Sequence, residues 1–240
     1  MFDLGRFLAS FRETLDWLSL KKKSRVVLAL DTIGGRSRFQ EGEVVKLIDS
    51  VSDAIVGVKL GLPFYLNLGP STRDVIKHFQ DLVFIADWKT ADVPHVTRLI
   101  FENIFELGFN AGIIHAFIGT KSMSEAVNVA RSRGGDVIAV VAMSHEGSEL
   151  VNSQMHVLAD MAVKAGVGCF VAPSNNTSLL QELRAKHPSS KIFSPGVGAQ
   201  GGEVKAPLGM GADYLIVGRL ITDAPKPDDA ARRVAGESWI

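Results

Sequence analysis

The sequence has a single cysteine, Cys169, set in the apolar run 167–171. An intrachain disulfide and a multi-cysteine metal site are therefore excluded, and the thiol reads as inert core. Net charge is also missing, because 26 basic and 26 acidic residues cancel. A general nucleic-acid binder would carry a basic excess, so that class is set aside. A local basic pocket for a phosphorylated small molecule stays open. No apolar stretch reaches the ~18 residues of a membrane span. Asp3, Arg6, Arg12, Glu13 and Asp16 interrupt the first twenty residues, so no signal-peptide core is expected there. No linker, low-complexity tract or charge run marks a second domain. The expectation is one domain over residues 1–240, in a reducing cytoplasm that suits the lone thiol. The nucleotide fingerprints Gly-x-x-x-x-Gly-Lys and strand-linked Gly-x-Gly-x-x-Gly are absent, so neither ATP nor NAD is implied.

What is present fits a large α/β domain. The 240 residues are 46% apolar and 22% charged, enough to bury a sizeable core and unlike a disordered chain. Leu4, Phe7, Leu8, Phe11, Leu15 and Leu18 recur at helical spacing, and Lys21-Lys22-Lys23 follows. The opposite face is mixed in charge. That favours a helix packed on the domain over an interfacial membrane helix, and residues 1–23 read as an N-terminal helical extension.

The spacing then predicts strands over 25–30, 54–58, 82–86, 111–114, 136–142 and 167–171. A seventh opens at 191 and ends at Pro195-Gly196, and an eighth covers 212–217. Helices are predicted over 40–50, 72–80, 93–107, 122–133, 149–165, 178–186 and 228–236, with a short one near 204–208. Pro94 sits in a first helical turn, where its missing N–H costs little. The strands do not alternate cleanly, as expected of parallel strands covered on both faces. Eight strand–helix units point to a (β/α)8 TIM barrel with an extra N-terminal helix. An open doubly wound sheet would have fewer strands and a reversal point.

The strand ends carry the candidate chemistry. Asp31 follows the first strand, Lys59 the second, Asp87 and Lys89 the third, His115 the fourth and Ser144 the fifth. Gly218-Arg219 follows the eighth. Asp87 and Lys89 are two apart and so face the same side of a strand, and Asp92 comes just before Val93-Pro94. Charges there are costly to bury unless paired. Taken singly, each reads equally as a strand terminator or a structural ion pair, and His115 reads as a hydrogen-bonded structural residue. Together they lie on the rim where barrel active sites are built. The loop Ser194-Pro195-Gly196-Val-Gly198-Ala-Gln200-Gly201-Gly202 lets backbone N–H groups approach an anion. Arg219, one strand on, adds a guanidinium suited to phosphate. The competing reading is a flexible surface loop.

Asp87-Trp-Lys89-Thr-Ala-Asp92, preceded by Asp31 and Lys59, resembles the orotidine 5'-monophosphate decarboxylase family in its compact archaeal or bacterial form. The loop 194–202, Ile216-Val-Gly-Arg219 and Met143-Ser144-His145-Glu146-Gly147 resemble that family's phosphate-gripping and strand-five regions, in the same order from about 25 to 219. The resemblance implies conversion of orotidine 5'-monophosphate (OMP) to UMP and carbon dioxide in pyrimidine nucleotide synthesis, with no cofactor and no metal. Lys89 is then the proton donor and Asp87 the neighbour of the substrate carboxylate. Asp92 comes from the partner of a homodimer and completes a network with Lys59. Asp31 and Lys59 hold the ribose, Ser144 the pyrimidine, and Pro195, Gln200, Gly218 and Arg219 complete the substrate-binding set around the phosphate. In Val93-Pro-His-Val-Thr97 the threonine falls one position later than in the family pattern, and Ala172-Pro-Ser-Asn175 is only loosely similar. The Asp-x-Lys-x-x-Asp motif is shared with magnesium-dependent keto-sugar-phosphate decarboxylases and aldolases. Lys59 and the long glycine loop argue against that alternative. A non-catalytic phosphate-binding barrel is the other.

Overall fold

The computed structural model describes residues 10–197 and 204–239. The chain runs α1 (Phe11–Lys22), β1 (Val26–Leu30), α2 (Glu41–Val51), β2 (Gly57–Gly61), α3 (Leu62–Leu68), α4 (Thr72–His78) and β3 (Val83–Thr90). It continues with α5 (Pro94–Glu106), β4 (Ala111–His115), α6 (Thr120–Ser132), β5 (Asp136–Val140), α7 (Glu149–Ser153), α8 (Met155–Lys164) and β6 (Cys169–Val171). The last part is α9 (Thr177–Lys186), β7 (Lys191–Pro195), α10 (Lys205–Gly209), β8 (Tyr214–Val217), α11 (Arg219–Thr222) and α12 (Pro227–Ser238). Every strand is parallel to the next, and β8 closes on β1, so the sheet is a complete eight-stranded barrel. Among the described residues no helix is long and apolar enough to cross a membrane.

Strand parity divides the core. Leu28, Leu30, Leu60, Phe84, Ile114 and Phe170 point outward and pack under the helices. Val27, Val83, Ile85, Ile113, Val140 and Phe193 point inward and fill the barrel. This two-sided burial is why the strands read as apolar runs. Gly112 is needed for the outer layer: a Cβ there would lie 2.7 Å from the Phe101 ring of α5.

The helix α1 stoppers the N-terminal mouth of the barrel. Ser10 and Glu13 close a capping box at its start. Phe11, Leu15 and Leu18 join the inner cluster, with Phe11 stacked 6.3 Å from Phe193. Arg12 pairs with Asp136 at 2.9 Å, and Asp16 accepts from Lys191 at 2.8 Å and from the Tyr214 hydroxyl at 2.6 Å. The side chain of Lys22, from the basic run, is largely covered and donates to Ser52 O at 2.8 Å and to Asp81. Leu4, Phe7 and Leu8 of the expected stripe lie outside the described residues.

Several expected boundaries shift. Lys59 lies inside β2, not at its end, and β3 runs on through Asp87 and Lys89 to Thr90. Charged residues persist there because they face the open upper mouth and pair with one another. The β3–β4 register breaks between Ala86 and Thr90, where Lys89 has φ of 43°. The predicted helix 149–165 is two helices meeting at Gln154. The helices α3 and α11 were not expected from the sequence.

Candidate active site

The inward-facing positions in β2 and β3 and just past the upper end of β1 carry the charges that the sequence placed near strand ends. Lys59 Nζ lies 2.7 Å from Asp87 Oδ2 and 3.3 Å from Asp31 Oδ2, and Lys89 Nζ lies 2.8 Å from Asp87 Oδ1. The result is a chain of alternating sign, Asp31–Lys59–Asp87–Lys89, whose formal charges sum to zero. Lys59 and Asp87 are buried in its middle, while Asp31 and Lys89 are half exposed. Gly61 makes room for it: a Cβ at that position would fall on the Asp31 carboxylate.

The pairing sets the protonation states. Burial opposes the charge on Asp87, but the Lys59 and Lys89 ammoniums outweigh it and hold the carboxyl below the usual aspartate range. Burial likewise opposes the charge on Lys59, and Asp87 and Asp31 outweigh it, raising Lys59 above the ordinary lysine value. Both stay ionised at neutral pH. His115 does not make the hydrogen bonds expected of a structural histidine. Among the described residues its buried Nδ1 has no partner, its ring lies 4.8 Å from Phe117, and burial, then Lys89, lowers its pKa.

These charges line one wall of a cleft of about 800 Å³ at the C-terminal mouth. Ser144, Pro195, Gly218 and Arg219 line the same cleft from β5, β7 and β8. Its floor is apolar, formed by Ile113, Val140, Val171 and Ile216. Gly196, also on the wall, has φ of 101°, which favours glycine. Gln200 lies outside the described residues, as do Gly198, Gly201 and Gly202.

Asp92 stands apart from the charge chain. It is exposed, its carboxylate accepts from the Val93 N–H at 2.7 Å, and it does not line the cleft of its own chain. The Thr97 hydroxyl is buried and donates to the Asp92 carbonyl at 3.0 Å, so it turns inward and not outward from α5.

Thr32 and Thr222 line the cleft without having been singled out in the sequence, and Met143 and His145 appeared there only as flanks of Ser144. Thr32 and His145 sit next to positions already singled out, which was the available signal. Thr222 had none, because α11 is a single short turn. The Gly34 N–H donates to the Thr222 carbonyl at 3.2 Å, and the Gly35 N–H to Asp223 at 3.1 Å, tying the loop after β1 to α11.

The arrangement can hold an anionic ligand near Arg219, with the half-exposed Lys89 ammonium, held by Asp87, lining the same cleft. Comparisons with known proteins agree with that reading. Residues 24–234 match the model of the Orotidine 5'-phosphate decarboxylase / HUMPS family. An orotidine 5'-phosphate decarboxylase of Methanosarcina barkeri is 38% identical over 221 residues, covering 91% of this chain and 96% of the relative. The crystal structure of the Pyrococcus horikoshii orotidine 5'-phosphate decarboxylase superposes with a TM-score of 0.76 at 34% identity, covering 88% of this chain and 98% of that one. The Methanocaldococcus jannaschii enzyme, complexed with the inhibitor BMP, gives 0.81 at 29% identity, over 90% of this chain and 98% of its own. The chain therefore belongs to the orotidine 5'-phosphate decarboxylase / HUMPS family.

Proposed function

We propose that this protein is a carboxy-lyase that converts OMP to UMP and carbon dioxide without a cofactor, working in the cytoplasm as a single-domain barrel. The observation that carries the reading is the alternating Asp31–Lys59–Asp87–Lys89 chain on one wall of the cleft. The reaction breaks the bond between C6 of the pyrimidine and its carboxylate. The electron pair stays on C6, and a proton from Lys89 Nζ fills the vacated position. No π-acceptor adjoins that carbon, so stabilisation must come from fixed charge. The Lys89 ammonium is already held by Asp87 at 2.8 Å, which spares the cost of orienting it during the reaction.

In this reading Asp87 also faces the substrate carboxylate. Two such charges 4 Å apart repel by about 4 kcal/mol at an effective dielectric near 20, and the repulsion vanishes as neutral carbon dioxide leaves. Asp31 and Lys59 take the ribose hydroxyls, and Ser144 takes the pyrimidine. Pro195, Gln200, Gly218 and Arg219 surround the phosphate. Binding energy from that remote phosphate is then available to hold the base against the charges.

The protein acts as a homodimer in which Asp92 enters the partner's site. Leu62 and Leu66 on α3, Val93 and Leu99 near the start of α5, and Phe117 are all substantially exposed. Apolar side chains exposed around the segment that carries Asp92 are what a self-associating face would offer.

Purified protein is expected to form UMP from OMP in the presence of EDTA. Activity that appears only with magnesium and a keto-sugar phosphate would replace this function with another. Lys89→Ala is expected to abolish turnover while largely sparing UMP binding, and near-native turnover in that variant would remove Lys89 from its role.

A further inference from the structure

The loop after β5 brings Ser144 to the cleft, and its shape is set from outside the cleft. Beyond Val140 the backbone runs past its β6 partner, and the last ladder contacts are from the Val141 and Ala142 N–H groups to the Val171 carbonyl. At Met143 both backbone groups need new partners, and Asn152 of α7 supplies them. Its Oδ1 accepts from the Met143 N–H at 2.8 Å, and its Nδ2 donates to the Met143 carbonyl at 3.0 Å. A primary amide presents one acceptor and two donors, so it replaces the missing strand at this one residue. The same Nδ2 donates to Ser148 Oγ at 2.9 Å, and the Ser148 hydroxyl donates to the His145 carbonyl at 2.7 Å. The buried Ser148 and the half-buried Asn152 thus clasp the loop on both sides of Ser144. The Ser144 carbonyl is held separately by Asn175 Nδ2 at 3.1 Å. Ser144 itself is exposed on the cleft wall.

We propose that Asn152, through Ser148, is a positioning residue for substrate recognition: it fixes the backbone at Met143 so that the Ser144 hydroxyl meets the bound base. Asn152 touches no substrate in this scheme. The inference rests on the reading of Ser144 as a pyrimidine contact, and its test separates the two.

The test is a double-mutant cycle on kcat/KM for OMP, with UMP affinity measured alongside. Asn152→Ala and Ser144→Ala are each expected to lower kcat/KM roughly tenfold, the scale of one lost hydrogen bond. The loss from Asn152→Ala is expected in KM more than in kcat. Adding Asn152→Ala to Ser144→Ala is then expected to change kcat/KM by less than about twofold, because the contact is already gone. A purely structural role would lower Tm and multiply the two losses, and that outcome overturns the proposal. So does wild-type kcat/KM in Asn152→Ala. If Ser144→Ala alone is silent, the reading of Ser144 falls and takes the proposal with it. Ser148→Ala and Asn152→Asp, which each keep part of the clasp, carry the same cycle if Asn152→Ala does not fold.

Discussion

Asp87 is a buried carboxylate with two ammonium partners, and its energetics follow from losing one of them. Lys59→Met would leave it to Lys89 alone. Removing one partner of a buried pair typically costs about 3 kcal/mol, measurable by urea unfolding near pH 7. The pH dependence has two limbs. The folded pKa of Asp87 is depressed, so its contribution is present above the usual aspartate range and is lost as pH falls through the folded value. The folded pKa of Lys59 is raised, so its contribution is full below the ordinary lysine range and is lost as pH rises through its folded value. Lys59→Met is expected to erase that alkaline loss and to move the acid limb upward. An unchanged acid limb would show that Asp87 does not depend on Lys59. The spacing of Asp87 and Lys89 was readable from the sequence because strand period dictates a shared face. The positive φ at Lys89 was not readable, because it arises from the register break against β4 and not from local composition.

At the scale of elements, most of the barrel was legible because each strand is buried on both faces and each helix has an apolar stripe. What escaped was short. The helix α3 follows directly on β2, with Pro63 in its first turn as the only local sign, and α11 is four residues long. The break at Gln154 was hidden inside a continuous apolar pattern. The helix α1 was visible, but its destination was not, since a periodic stripe says that a face is covered and not by what. Leu15 is fully buried against the barrel floor. Leu15→Ala is expected to cost roughly 3 kcal/mol and to lower Tm by about 6–12 °C for a chain of this size. Turnover at low temperature should be unchanged, because α1 lies at the mouth opposite the charges. A large fall in kcat with little change in Tm would contradict that separation.

For the whole molecule, eight strands in 240 residues sufficed to indicate closure. The meeting of Asp31, Lys59, Asp87 and Lys89 on one cleft was legible too, because barrel topology collects the ends of distant strands on one rim. Asp92 is the exception: among the described residues it stands off the cleft of its own chain, and the role proposed for it requires a second copy. Mixing inactive Lys89→Ala and Asp92→Ala proteins tests this directly. If Asp92 crosses between subunits, random exchange restores about a quarter of wild-type activity, since half the dimers are mixed and each has one intact site. If Asp92 serves its own barrel, no activity returns.

The stopper formed by α1 has a further effect on traffic. With side chains filling the lumen and α1 across the lower opening, the cleft formed by the described residues opens at the upper mouth. A gas and a nucleotide must both depart the way the substrate came in.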